Sequence, residues 1–278
     1  MGKKSAIVKL LWLVCSLVMP LIACEGGNMS HATVSLATIK NVPDSAWRKL
    51  DEKKIYFGHQ SVGQNIIEGL ELIKKDYPQI KLKIVAISDA SGLSGPMFAH
   101  SNLGENEDPE SKMQAFSTFM EKGIGNSADI AFFKFCYVDI TAKSDVEKIF
   151  SEYKNAMTNL KKKYPRTVFI HTTVPLTVSQ TTLKTLVKRV LGKQDNNIKR
   201  NRLNEMLRQE YAGKEPLFDI AKVESTYPDG SRSSFEKGVA TYYSLVPQYT
   251  DDGGHLNERG QRAVAQELLT LLAQLVQE

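Results

Sequence analysis

The sequence predicts a three-layer α/β/α domain on a parallel sheet of about five strands. Three observations carry this. Short apolar runs alternate with longer amphipathic stretches from about residue 51 to the end. The runs are continuously apolar rather than alternating, as strands covered on both faces are. Apolar residues make up 42% of the chain and charged residues 24%, with no internal repeat, which excludes a disordered or collagenous chain.

The first strand is expected over 54–58, Lys-Ile-Tyr-Phe-Gly. Residues 61–77 follow at helical spacing, with Ile66, Ile67, Leu70 and Ile73 on one face and Pro78 closing the helix. A second strand covers 82–87. A long polar loop, 88–110, then holds three glycines and two prolines. Residues 113–122 read as a helix, 130–138 as a third strand, and 144–164 as an amphipathic helix with Val146, Ile149, Phe150, Tyr153 and Met157 inward. The fourth strand is 168–173, followed by a helix over 197–211, a short fifth strand at 217–220 and a last helix over 258–276. Two stretches fit poorly. Residues 178–196 read as an extra basic helix or an inserted lid, and 224–251 as a long irregular connection. The order of elements is that of a flavodoxin-like sheet.

The N-terminus is an address. Lys3, Lys4 and Lys9 precede an uncharged run over 10–23, too short to span a membrane, which needs roughly 20 apolar residues. The run ends in Leu21-Ile22-Ala23-Cys24, which resembles a bacterial lipobox, with Cys24 as the lipidated first residue of the mature chain. The division expected is a signal peptide over 1–23, a lipid-anchored tether over 24–50 and a domain over 51–278. The placement follows: the bacterial cell envelope, held to a membrane through Cys24. The three signal lysines supply most of the formal charge of +5, so the mature chain is nearly neutral and nothing in it argues for nucleic acid. Removal of Cys15 and lipidation of Cys24 leave Cys136 as the one thiol. Its apolar surroundings in the sequence make it a buried structural cysteine.

Ligands of open parallel sheets bind beyond the carboxyl ends of the strands. Two stretches at such ends carry chemistry. Asp252-Gly-Gly-His255 directly precedes the last helix, and such a loop can fold an imidazole over the sheet edge while the carboxylate orients it. Ser61 lies in the turn from the first strand into the first helix, where free N–H groups favour an oxyanion. Ser61-x-x-Gln64 is also a capping box, which would explain the serine without catalysis. His59 reads as a substrate-facing donor, an alternative base or a helix-capping residue. His171 reads as a satisfied core histidine. No pair of histidines stands at metal-ligand spacing and no cysteine pair exists, so neither a metal nor another cofactor is expected.

With these residues in place, the stretch 51–278 resembles the SGNH (GDSL-type) hydrolase superfamily. The specific part is the terminal Asp252-x-x-His255-Leu256-Asn257-x-x-Gly260. The resemblance implies Ser61 as nucleophile, His255 as base and Asp252 as the residue that orients it. It implies oxyanion or substrate contacts from His59, Gln60 and one of Gly92 or Gly95. The sequence departs from the family at two places. Gln60 stands where the family's serine would, one residue before Ser61. Alignment on Asp139 puts Val138 where the family has an oxyanion-hole asparagine and Cys136 where it has glycine. Two functions follow: a lipid-anchored serine esterase acting on a small-molecule or glycan ester, or a catalytically inactive binding lipoprotein on the same fold.

Overall fold

The computed structural model describes residues 39–179 and 195–277. The signal peptide expected over 1–23, Cys24, His31 and most of the basic stretch 178–196 lie outside them. The centre is a six-stranded, wholly parallel sheet formed by β1 (Lys54–His59), β2 (Ile84–Ala86), β3 (Met97–Asn102), β4 (Ile130–Phe133), β5 (Val168–Thr172) and β6 (Leu217–Phe218), in the order β2-β3-β1-β4-β5-β6.

The extra strand relative to the expected five is β3. It falls inside the stretch read as a polar loop, because Met97-Phe-Ala-His-Ser-Asn lacks β-branched residues and ends in polar ones. It pairs along the full length of β1, from Lys54 with Met97 to His59 with Asn102. It therefore separates β2 from β1.

The two faces are covered by different helices. Along β1, Ile55 and Phe57 enter one core and Tyr56 the other, the period of two that a strand imposes. The first core is closed by α1 (Asp44–Asp51), α2 (Val62–Asp76) and, farther along the chain, Glu258–Leu275. The second is closed by α3 (Pro109–Phe119), α4 (Val146–Lys163) and α5 (Asn196–Tyr211). After a short α6 (Ile220–Glu224) the chain forms a hairpin of β7 (Ser234–Lys237) and β8 (Ala240–Tyr243), then enters α7 (Glu258–Leu275). The irregular connection expected over 224–251 thus holds a hairpin, with the Phe235 and Tyr242 rings stacked and Gly238 at φ +64° in its turn.

The folded domain starts earlier than residue 51. Ile39 is buried in a 3-10 turn, and α1 inserts Ala46, Trp47 and Leu50 into the first core. Residues 39–50, expected as part of a tether over 24–50, therefore belong to the folded domain. An eight-residue helix offers too few turns for its period to stand out in sequence. Among the described residues no helix is long and apolar enough to cross a membrane.

Candidate active site

β1 ends at His59, and the chain turns through Gln60 and Ser61 into α2. Ser61 has φ 30° and ψ −92°, a conformation that L-residues rarely adopt. Such strain costs of the order of 1–3 kcal/mol and persists only where neighbours over-determine it. Here Gly63 N–H donates to Gln60 O at 2.7 Å and Gln64 N–H to Ser61 O at 2.8 Å. The Oγ accepts from Val62 N–H at 2.7 Å rather than from Gln64, so the side-chain half of the expected capping box does not form.

The strained turn aims the hydroxyl at His255. Ser61 Oγ is 3.1 Å from His255 Nε2, and His255 Nδ1 is 2.6 Å from Asp252 Oδ2. The other carboxylate oxygen, Oδ1, accepts the N–H groups of Gly254 and His255, each at 2.8 Å. Gly253 sits at φ +93° between them, a conformation glycine adopts without strain. The His255 hydrogen bond, and then the two amides, hold the Asp252 carboxyl far below the usual carboxylate range. Among the described residues the Asp252 and His255 side chains are left 57% and 43% exposed at the carboxyl end of the sheet.

The remaining residues picked out from sequence are not all brought to this point. His59 is 1% exposed and points inward. Its Nε2 is 2.9 Å from His100 Nδ1, and burial, then the charge of Lys134, pushes its pKa down to about 3. It is therefore neither a substrate-facing donor nor a base. Its ring lies on Gly63, where an added Cβ would come within 2.2 Å, which accounts for the glycine in the first turn of α2. Gln60 is used structurally: its Nε2 donates to Gly104 O at 2.8 Å. Gly92 closes a 3-10 turn after the edge strand β2, against Ile87, and Gly95 precedes β3 at the amino end of the sheet. With β3 between β2 and β1, the loop that reaches the Gln60-Ser61 turn is the one that follows β3, where Gly104 sits at φ +61° and accepts from Gln60.

One further side chain meets His255 that sequence reasoning did not assign, and beside it Asp139 orders the loop, as its place after the expected third strand suggests. Tyr137, after β4, places its hydroxyl 3.4 Å from His255 Nε2. Asp139 is buried, bonded to Lys112 Nζ through both oxygens at 2.7 Å, and accepts from the Glu107 and Cys136 amides. It ties the loop carrying Gly104 to the loop carrying Tyr137. Cys136 is buried, as its surroundings in the sequence suggest. Among the described residues no group of three His, Cys, Asp or Glu side chains is placed to hold a metal ion.

A family model described as GDSL-like lipase/acylhydrolase matches residues 70–268, more than half of the chain. The chain belongs to the GDSL-like lipase/acylhydrolase family. The matched region of this acylhydrolase includes Asp252 and His255 and begins after Ser61, so the serine rests on geometry. No curated protein matches the chain. Among solved structures it is similar to a lipase/acylhydrolase from Enterococcus faecalis, with 14% identity, TM-score 0.45, 81% of this chain and 94% of that one covered. It is similar to an acetyl xylan esterase at 16% identity and TM-score 0.42, over 78% and 98% of the two chains. It is also similar to the periplasmic domain of a lipopolysaccharide acetyltransferase from Salmonella ser. Paratyphi A, at 11% and 0.44, over 78% and 83%. The family assignment rests on the match over 70–268.

Buried ionisable groups around this sheet make stability depend on pH. His171 has both nitrogens bonded, Nδ1 to the Tyr153 hydroxyl at 2.8 Å and Nε2 to Glu215 at 3.0 Å, and burial lowers its pKa to about 4. Glu224, fully buried and bonded through Oε2 to Leu176 N–H, is raised by burial to about 8. Below pH 6.5 the unfolded chain binds protons on His59 and His171 that the folded chain refuses, so stability falls with falling pH. Between 4.5 and 8 the folded chain keeps a proton on Glu224 that the unfolded chain has lost, so this residue destabilises as pH rises. His59, His171 and His100, which burial also lowers, outweigh one glutamate, so stability rises with pH up to about 6.5, and above it Glu224 gives a fall. Urea unfolding is expected to show maximal stability near pH 6.5, and Glu224→Gln to abolish the fall above it. An unchanged alkaline limb in that variant would refute the assignment.

Proposed function

We propose that this protein is a serine ester hydrolase of the bacterial envelope, anchored by lipid at Cys24. The observation that carries the reading is the chain of hydrogen bonds from Ser61 Oγ through His255 to Asp252. Ser61 attacks the ester carbonyl while its proton passes to His255 Nε2, and the Asp252 carboxylate stabilises the imidazolium that forms. The Ser61 N–H group, at the turn into α2, receives the developing oxyanion. His255 returns the proton to the leaving alcohol, and water then releases the acyl group by the same route. The exposure of Asp252 and His255 favours an ester displayed on a large molecule, such as an O-acyl or O-acetyl group on a glycan. Val138 at the family's asparagine position favours the alternative, a binding lipoprotein without activity.

Labelling separates the two. A fluorophosphonate is expected to add covalently to Ser61, located by peptide mass, and short-chain aryl esters to be hydrolysed. Absence of both would leave the binding reading. For the anchor, Cys24→Ser is expected to abolish incorporation of a palmitate analogue and partition into detergent.

A further inference from the structure

We propose that Tyr137 is a catalytic residue of this site, its hydroxyl donating a hydrogen bond to the oxygen of the departing alcohol. The inference rests on the esterase reading. His255 Nε2 is the atom that hands its proton to the leaving oxygen, so that oxygen must come within hydrogen-bond distance of Nε2. The Tyr137 hydroxyl is 3.4 Å from Nε2 and Ser61 Oγ is 3.1 Å from it. The phenol therefore shares with the nucleophile the space in front of this nitrogen, where the ester's reacting atoms must sit.

The fold holds the ring there on three sides. Arg200 Nε donates to the Tyr137 carbonyl at 2.8 Å, and its guanidinium lies 5.6 Å from the ring centre. The His255 ring meets it edge-on at 5.6 Å between centroids. Gly254 completes the seat, since a Cβ there would lie 2.9 Å from the ring. Burial, then the negative charge of Asp252, raises the pKa of the phenol, so it stays protonated and acts as a donor. The groups facing it are His255, Arg200, Asp252 and Cys136.

The chemistry balances without a proton leaving the tyrosine. The Ser61 Oγ–carbon bond forms as its proton moves to Nε2. The carbon–oxygen bond of the ester then breaks, and the Nε2 proton goes to the alcohol oxygen. Tyr137 stabilises the charge on that oxygen in transit and keeps its own hydrogen. This assistance matters most where the leaving alkoxide is basic, as it is from a sugar or an alkyl alcohol. It matters little for a nitrophenolate, which leaves unaided.

The test is Tyr137→Phe in the full chain, which retains the ring in its seat, assayed on ethyl acetate and 4-nitrophenyl acetate. These share an acyl group and differ in leaving group. The expected loss in kcat/KM is about 100-fold for the ethyl ester and under about threefold for the nitrophenyl ester. The ratio of the two is independent of the fraction of protein correctly folded. Equal losses on both esters, or none on either, would overturn the role of Tyr137 and leave the esterase reading standing. A wild-type protein that hydrolyses neither ester and takes no fluorophosphonate would overturn both.

Discussion

Ser61→Ala is expected to lower kcat for ester hydrolysis about 10⁶-fold, and His255→Ala by a similar factor, because the two act as one unit. The double variant should therefore be no slower than either single one. Asp252→Asn should cost less, about 10⁴-fold, since the amide leaves the geometry near Ser61 intact and only misplaces the imidazole proton. Steady-state rates on a short-chain ester, with burst titration of active sites, check all four variants. Additive losses in the double variant would show that Ser61 and His255 do not cooperate. A separate reading comes from stability. Ser61 is held at φ 30° and ψ −92°, where glycine, having no Cβ, is less strained than serine. Ser61→Gly should relieve about 1–3 kcal/mol of strain, at the cost of the Oγ bond to Val62 N–H. A variant that melts higher and hydrolyses nothing would show strain retained for chemistry; an unchanged or lower melting temperature would show that the turn is not strained by the serine.

Legibility in the sequence followed period and spacing. α2, α4 and α7 are long enough to show a face, and each lies within two residues of the range its apolar spacing predicts. The Asp252-x-x-His255 pair is local, so its geometry is implicit in four residues. Ser61 could be placed because a strand–turn–helix junction leaves few positions for a nucleophile. What escaped was set by contacts remote in sequence. The loop of Gly104 meets Gln60 only because β3 inserts between β2 and β1, and no local feature of Met97–Asn102 announces that pairing. His59 reads as accessible next to Ser61, yet β1 is covered on both faces and the imidazole packs between Phe57 and His100. Tyr137 meets His255 across 118 positions of chain, and α1 has one helical turn's worth of apolar residues to reveal it. The signal that could have found Tyr137 was its place, two residues before Asp139, in the loop where the family carries its oxyanion donor.

The contact that locks these remote pieces together is the ion pair of Lys112 and Asp139, and its loss should be the most damaging change to stability. The two side chains are 1% and 0% exposed and meet at 2.7 Å. Lys112 comes from α3 and also reaches Asn106 Oδ1, while Asp139 accepts the amides of Glu107 and Cys136. Lys112→Met removes the cation and leaves a carboxylate out of water, held by two amides alone. Breaking one side of a buried pair costs about 3–5 kcal/mol, a fifth or more of the roughly 5–15 kcal/mol typical of a folded domain. Adding Asp139→Asn to Lys112→Met should recover part of the loss: the asparagine is neutral and keeps one oxygen for an amide. The double variant should therefore be more stable than Lys112→Met, measured by urea unfolding at pH 6.5. A double variant less stable than the single one would show that the amide contacts of Asp139, not its charge, dominate. Activity gives the second axis. The pair joins the loop of Gly104 to the loop of Tyr137, so Lys112→Met should slow ester hydrolysis even where the protein remains folded, while an exposed surface pair such as Lys148 and Glu152 can be broken with neither effect.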